Sequence, residues 1–159
     1  MDKITALQYQ AHSKPLYENY NQTNVRDNTN CYSHALGLTL PYSELYCRIG
    51  AISGKKPIDQ NYVSIEEITR LLFWDCETLQ LEIKESFLEE KLQENQYQIA
   101  LFVKIWANGT IGGCHFWRYE NGIWTEKWPR RKMYVIEDFQ GEKLDYFPWH
   151  FVGIYKISK

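Results

Sequence analysis

Residues 115–127 constrain the fold more than any other segment, because they specify a β-hairpin. Their sequence is His-Phe-Trp-Arg-Tyr-Glu-Asn-Gly-Ile-Trp-Thr-Glu-Lys. Asn121 and Gly122 form the pair that a two-residue hairpin turn prefers, since both positions need a positive φ. The residues on either side are mainly aromatic or β-branched, as is typical of strands. The sequence therefore predicts two antiparallel strands joined at Asn121 and Gly122.

The turn also predicts the register of the hairpin. Two residues in the loop place Trp117 opposite Glu126 and His115 opposite Trp128. Side chains alternate between the two faces of a strand, so these four share one face. Glu126 then lies diagonal to His115, within reach of a long side chain. A carboxylate in this position can orient an imidazole, although a slip of one residue would move it to the other face.

The rest of the chain predicts helices first and strands afterwards. We expect helices over residues 31–38, from Ser64 through the apolar stripe that ends at Leu72, and over 86–95. Strands are expected over 97–106, 133–136 and 151–157. This order predicts an α+β fold in which N-terminal helices pack on an antiparallel β-sheet. A chain of 159 residues fits a single domain over 1–159, with residues 1–28 as a polar N-terminal arm or loop.

Charge and hydropathy exclude several classes of partner. The net charge is −2 with both signs scattered, so we expect no nucleic acid as a partner. No apolar run approaches the ~20 residues of a membrane helix, and the N-terminus lacks the apolar core of a signal peptide. We therefore expect a cytoplasmic protein, or one secreted without a cleaved signal peptide. The sequence leaves the oligomeric state open.

The four cysteines, Cys31, Cys47, Cys76 and Cys114, have no Cys-x-x-Cys spacing. This argues against a zinc ribbon and against a dense disulfide framework. His12 and His150 have no partner with ligand spacing. We expect no metal site and no cofactor.

Cys31 is predicted to open the first helix, with Asn30 or Thr29 as its N-cap. The start of a helix supplies partial positive charge and unpaired N–H groups, which favour a thiolate. An imidazole within reach completes the ion pair, and His115 is the candidate. Taken alone, a cysteine is more often a small apolar residue of the core. Cys114 is expected to be such a residue. His34 could tune the thiol but is expected to be a partly exposed helix residue, and Arg118 is expected at the surface or behind the residues of the site.

Two motifs carry a resemblance to a known family. The segment Asn-Cys-Tyr-x-x-Ala-Leu at 30–36 resembles the nucleophile segment of papain-like, NlpC/P60-related bacterial cysteine peptidases and amidases. His-Phe-Trp-Arg-Tyr at 115–119, followed by Asn-Gly-x-Trp-x-x-Lys at 121–127, is similar to their histidine hairpin. The resemblance implies a papain-like fold, with Cys31 as nucleophile and His115 as base. At 126 this chain has glutamate where the group often has histidine.

The resemblance also implies an oxyanion site from the Cys31 backbone N–H and the Asn30 side chain. Together these features predict a cysteine-dependent amide hydrolase that forms a thioester on Cys31. A peptide or cell-wall peptide is the implied substrate. One alternative is an effector-type deamidase or transamidase that acts on a protein glutamine. Another is a non-catalytic binding module of the same fold.

Overall fold

The computed structural model describes residues 30–38, 48–56, 61–128, 133–136 and 149–159. The expected N-terminal arm, residues 1–28, lies outside this part of the chain. The described residues contain two helices, α1 (Cys31–Leu36) and α2 (Ile65–Thr78). They also contain six strands: β1 (Glu82–Ser86), β2 (Gln96–Ile105), β3 (Ile111–Glu120), β4 (Ile123–Lys127), β5 (Met133–Val135) and β6 (His150–Ser158).

All six strands join one antiparallel sheet in the order β1-β6-β2-β3-β4-β5. The hairpin forms as expected, with Trp117 paired to Glu126 and Glu120 paired to Ile123. Both Asn121 and Gly122 have a positive φ, of 55° and 81°, as their turn requires. The predicted register is therefore confirmed.

Both helices pack on the same face of the sheet, called here the helix face. The capping box of α1 and the Ser64 N-cap of α2 fix where each helix starts. The helix-face core includes Tyr32, Ala35 and Leu36 from α1; Ile68, Leu71, Leu72 and Cys76 from α2; and Tyr97, Ile99, Leu101, Val103 and Phe116 from the sheet. The opposite surface, the far face, has a smaller core made of Ala100, Phe102, Trp117, Trp124 and Ile154.

The predicted α+β, papain-like arrangement with N-terminal helices is wrong. The described residues are dominated by the six-stranded sheet, and only two helices accompany it. The helix expected over 86–95 does not form. Ser86 instead ends β1, which pairs with β6 at the far end of the chain. The Ser86 hydroxyl donates to Glu90 and accepts from the Gln98 amide, so it serves a turn rather than a helix cap.

Candidate functional site: a cysteine, a histidine and a glutamate at the end of strand β4

Cys31 is the first residue of α1, and Asn30 fixes its position. The Asn30 side-chain oxygen accepts a hydrogen bond from the Ser33 backbone N–H at 2.9 Å. The Ser33 hydroxyl oxygen accepts one from the Asn30 backbone N–H at 2.7 Å. This reciprocal capping box satisfies two donors that the start of a helix leaves unpaired. The observed role of Asn30 is thus to cap α1.

The Cys31 thiol is half-buried beside β3. Its sulfur lies 3.7 Å from the backbone oxygen of Cys114, to which the thiol donates a weak hydrogen bond. Cys31 also lines a cleft of about 360 Å³ together with Gly112 and Gly113. The side chain is therefore supported on one side by protein and open to a ligand on the other.

His115 is completely buried, and Glu126 holds its ring. The Nε2 atom of His115 lies 2.9 Å from Oε2 of Glu126. The same carboxylate oxygen accepts a hydrogen bond from the Trp117 indole N–H at 3.1 Å. The other ring nitrogen, Nδ1, is buried with no nitrogen or oxygen partner in the described part of the chain. The Cys31 side chain also acts on this ring, through a side-chain hydrogen bond and its charge.

The two neighbours of His115 change its protonation. Burial alone lowers the pKa of His115, but hydrogen bonds to Cys31 and Glu126, and the negative charges of both groups, outweigh burial and raise it to about 9. At neutral pH the ring is therefore an imidazolium.

Two tryptophans fix the plane of the His115 ring. Trp128 stacks on it with 3.8 Å between ring centres and 9° between planes, and Trp149 lies 5.6 Å away. A cation is attracted to the face of an indole, so this contact also favours the imidazolium. The hairpin register places Trp128 opposite His115, but the parallel stacking is a feature that sequence reasoning missed.

Cys31 and His115 reach each other although they belong to different faces of the sheet. His115 projects to the far face, where Trp117 also lies, whereas Cys31 packs against the helix-face core. The pairing of β3 with β4 stops at Trp117 and Glu126, so the part of β3 that carries His115 extends beyond it. His115, with its hydrogen bond to Cys31, therefore lies beside the end of β4, and this place is called here the window.

A buried carboxylate that the sequence analysis did not single out organises the helix-face side of the site. Asp75 accepts hydrogen bonds from the Tyr32 hydroxyl at 2.5 Å, the Gly50 N–H at 2.7 Å and the Ser53 N–H at 2.8 Å. It thereby joins α2 to α1 and to the turn that follows Arg48. The signal was present, since Asp75 continues the apolar stripe of α2 at helical spacing, where a charge needs partners.

Cys114, His34 and Arg118 lie near the site, and their burial agrees only in part with the sequence-based expectations. Cys114 is packed against the helix-face core, as predicted, and burial raises its pKa above the usual range. His34 was expected to be partly exposed, but it is buried; Arg118 is buried as well, which excludes the surface position among its two expected ones. Arg118 donates to the backbone oxygen of His34 at 2.8 Å and to Glu120 at 2.7 Å. Its charge is thus neutralised inside the protein rather than by solvent.

Comparison with known proteins does not assign the chain to a family. No family, no curated protein and no solved structure matches it. Within the described residues, no helix is long and apolar enough to cross a membrane. The same residues contain no cluster of three or more groups suited to hold a metal ion. The chemistry of the site is therefore argued from its geometry alone.

Proposed function

We propose that the protein is a cysteine-dependent amide hydrolase in which Cys31 is the nucleophile, His115 the acid and base, and Glu126 the group that orients His115. The observation that carries the proposal is the continuous chain of contacts from the Cys31 thiol through the buried imidazole to the Glu126 carboxylate. A nucleophile, a base in contact with it and a third group holding the base are the parts that acyl transfer requires.

The reaction proceeds in two halves. The Cys31 sulfur attacks the amide carbonyl carbon, and a C–S bond forms as the carbonyl oxygen takes the negative charge. His115 Nδ1 donates its proton to the amide nitrogen, the C–N bond breaks, and the amine leaves. In the second half Nδ1 takes a proton from water, whose oxygen attacks the thioester. The C–S bond breaks, the acid leaves, and Cys31 and His115 return to their starting state.

The surroundings of the two residues support this proposal. Glu126 and Trp128 fix the orientation of the imidazole, so little reorganisation is needed when the proton moves. Cys31 faces a cleft with room for a peptide-sized group, and its backbone N–H is the expected oxyanion donor. If a protein glutamine were the amide and ammonia the leaving group, the same steps would describe a deamidase, so the test must distinguish the two.

The first test is selective alkylation of the native protein with iodoacetamide between pH 6 and 8, with each cysteine mapped by mass spectrometry. We expect Cys31 to react about 100-fold faster than Cys76 and Cys114 at pH 7. Burial, with the nearby Asp75 charge, raises the pKa of Cys76 to about 12, and burial raises that of Cys114 as well. If Cys31 reacts no faster than these two, the site is not catalytic and a binding module is the better interpretation.

The second test is turnover of a peptide library by wild type, Cys31→Ser and Cys76→Ala, read by mass spectrometry. Loss of Cys31 removes the nucleophile, so we expect no cleavage above background, whereas Cys76→Ala loses a thiol away from the site and stays active. A mass increase of one unit on glutamine without chain cleavage identifies a deamidase instead. A Cys31→Ser variant that is folded and as active as wild type contradicts the proposal.

A further inference from the structure

Strand β1 is the outermost strand at one end of the sheet. It pairs with β6 on one side, from Glu82 to Ser86, and no described residue pairs with it on the other. The backbone N–H and C=O groups on its outer side are therefore open to another strand. The side chains of Glu82 and Lys84 are 61% and 66% exposed, so this edge is accessible.

An apolar groove lies beside this edge on the helix face. Phe73 and Trp74 of α2 line it together with Leu81 and Ile83. Each of the two aromatic side chains is 37% exposed. An apolar patch next to an unpaired strand is typical of a surface that binds another protein strand.

The order of charges along β1 indicates a second copy of the same strand as the partner. In an antiparallel pair, residues directly opposite each other lie on the same face of the sheet. A two-fold axis through Ile83 places Glu82 opposite Lys84 of the second copy, and Lys84 opposite Glu82 of that copy. Ile83 then meets its own counterpart on the helix face, where it already packs against the core.

The other symmetric registers of β1 are disfavoured. An axis through Glu82 or Glu85 would place two carboxylates directly opposite each other, and an axis through Lys84 would oppose two ammonium groups. An axis through Ser86 would leave most of the strand unpaired. Charged side chains on an edge strand often prevent pairing, but here their order permits pairing about Ile83.

We infer that two copies of the protein form a two-fold symmetric dimer by antiparallel pairing of their β1 strands, centred on Ile83. The two six-stranded sheets then become one continuous sheet, with both α2 helices on the same face. Phe73 and Trp74 of the two copies lie on that face beside the shared edge, where they cover apolar surface. Exposed ion pairs contribute little affinity, so they select the register, while backbone hydrogen bonds and apolar contacts hold the dimer together.

The dimer is independent of the proposed function. Strands β6 and β2 lie between β1 and β3, so pairing at β1 leaves the cleft beside Cys31 open. Neither Glu82 nor Lys84 lines that cleft. Failure of the dimer inference would therefore leave the chemistry proposed for Cys31 untouched, and the reverse holds as well.

Sedimentation equilibrium of the whole chain, from about 1 μM to 1 mM, tests the inference. We expect wild type to approach twice the 19.0 kDa mass of one chain as its concentration rises. Glu82→Lys or Lys84→Glu each replaces two opposite-charge contacts by like-charge contacts, so the dissociation constant is expected to rise about tenfold. Glu94→Lys and Lys91→Glu are the matched controls, since they reverse exposed charges outside β1 and should leave it unchanged.

An equimolar mixture of Glu82→Lys and Lys84→Glu is the decisive measurement. In a mixed dimer, positions 82 and 84 are both positive in one copy and both negative in the other, so every charge faces its opposite. We expect the mixture to dimerise at least as strongly as wild type, although each variant alone does so weakly. Mixing cannot restore the ion pair that Glu82 and Lys84 make within one chain at 2.9 Å, so a merely structural role would show no rescue.

The mixture of the two control variants has the same net charges and is expected to match wild type, which excludes general attraction between oppositely charged proteins. Three outcomes overturn the inference. Wild type could remain a monomer over the whole concentration range. It could dimerise equally well in all variants, which would assign the interface to another surface. The single charge reversals could weaken the dimer without rescue in their mixture, which would exclude pairing centred on Ile83.

Discussion

The two faces of strands β3 and β4 each bury a histidine, yet they treat it in opposite ways. On the helix face His34 contacts the Thr125 hydroxyl at 2.9 Å, and burial, followed by the charges of Arg118 and Lys127, lowers its pKa well below the usual value. On the far face His115 contacts the Glu126 carboxylate, and its pKa is raised to about 9. Both rings have no exposed surface.

The comparison shows that burial alone does not decide the charge of a histidine. Desolvation disfavours the imidazolium on both faces, so the sign of the neighbouring charges makes the difference. Arginine and lysine next to His34 add to the effect of burial, whereas Glu126 and Cys31 next to His115 overcome it. A neutral histidine on α1 and a charged one on β3 therefore lie close enough for the charge of one to act on the other.

The largest expected effect is on turnover, and it separates the two histidines. Replacing His115 by glutamine removes the proposed acid and base, so we expect kcat/KM to fall by about 10³-fold. Replacing His34 by glutamine keeps a polar atom near Thr125 and leaves turnover within a few-fold. It is expected to lower the free energy of unfolding by about 1–3 kcal/mol. The measurements are peptide cleavage and urea unfolding of both variants. Equal losses of turnover would mean that the two rings do not differ in function.

The second expected effect is on how the free energy of unfolding changes with pH. The two histidines are expected to contribute slopes of opposite sign. His115 has a folded pKa above its unfolded value of 6.5, so its contribution is complete below pH 6.5 and is lost as pH rises through 9. A shift of this size corresponds to about 3 kcal/mol. The pKa of His34 is lower in the folded than in the unfolded protein. Its contribution to the free energy of unfolding is therefore complete above pH 6.5 and declines as pH falls.

Urea unfolding between pH 5 and 9.5 measures these slopes. The difference in unfolding free energy between wild type and His115→Gln is expected to shrink toward high pH, and that between wild type and His34→Gln toward low pH. If both differences change with pH in the same direction, the assignment of a neutral His34 and a charged His115 is contradicted. Proton NMR supplies a direct check, since the His115 ring is expected to titrate near pH 9.

The smallest expected effect concerns the carboxylates of the hairpin. Glu126→Ala removes the hydrogen bond to His115, so we expect kcat to fall by about tenfold with KM little changed. Glu126→Gln keeps an acceptor and should retain more activity, and Glu126→His should also be tolerated. In each variant the His115 titration is expected to move below pH 9, which a purely structural role would not produce.

Glu120 provides the matched control on the same hairpin. It pairs with Arg118 at 2.7 Å and with Lys159 at 2.6 Å, away from His115. Glu120→Gln is therefore expected to leave both turnover and the His115 titration unchanged. If Glu126→Ala is as active as wild type, Trp128 and Trp149 orient His115 instead of Glu126. The other explanation would be that Cys31 and His115 work as a catalytic pair without an orienting carboxylate.

The hairpin and its register were predictable because their determinants are local. Asn121 and Gly122 select the turn, and the turn fixes which residues face each other across β3 and β4. The proximity of Glu126 to His115 followed from the same two residues. Asp75 was recognisable in principle as a carboxylate on an apolar stripe, but its three partners come from other segments.

The balance of helix and sheet was not predictable from the same reasoning. Strand β1 forms because Glu82–Ser86 pairs with the C-terminal strand β6, a contact between distant parts of the chain. Local propensity favoured a helix after Ser86, but residues 87–95 form turns between β1 and β2, and the Gln98 side chain donates hydrogen bonds to Ser86 and Phe87 at their start. The burial of His34 and Arg118 was missed for a similar reason, since neither residue type reveals which partners will satisfy it inside the protein.

The window at the end of β4 has a consequence for how this protein tolerates change. Cys31, the proposed nucleophile, packs against one core, and His115, the proposed base, contacts Trp149, which packs against the other; β3 contributes residues to both cores. A substitution in one core is therefore expected to move one of these two side chains more than the other. The relative position of Cys31 and His115 is therefore most sensitive to the segment from Gly113 to Trp117. A change in the length or pairing of β3 in this segment would separate the two side chains while leaving both cores intact.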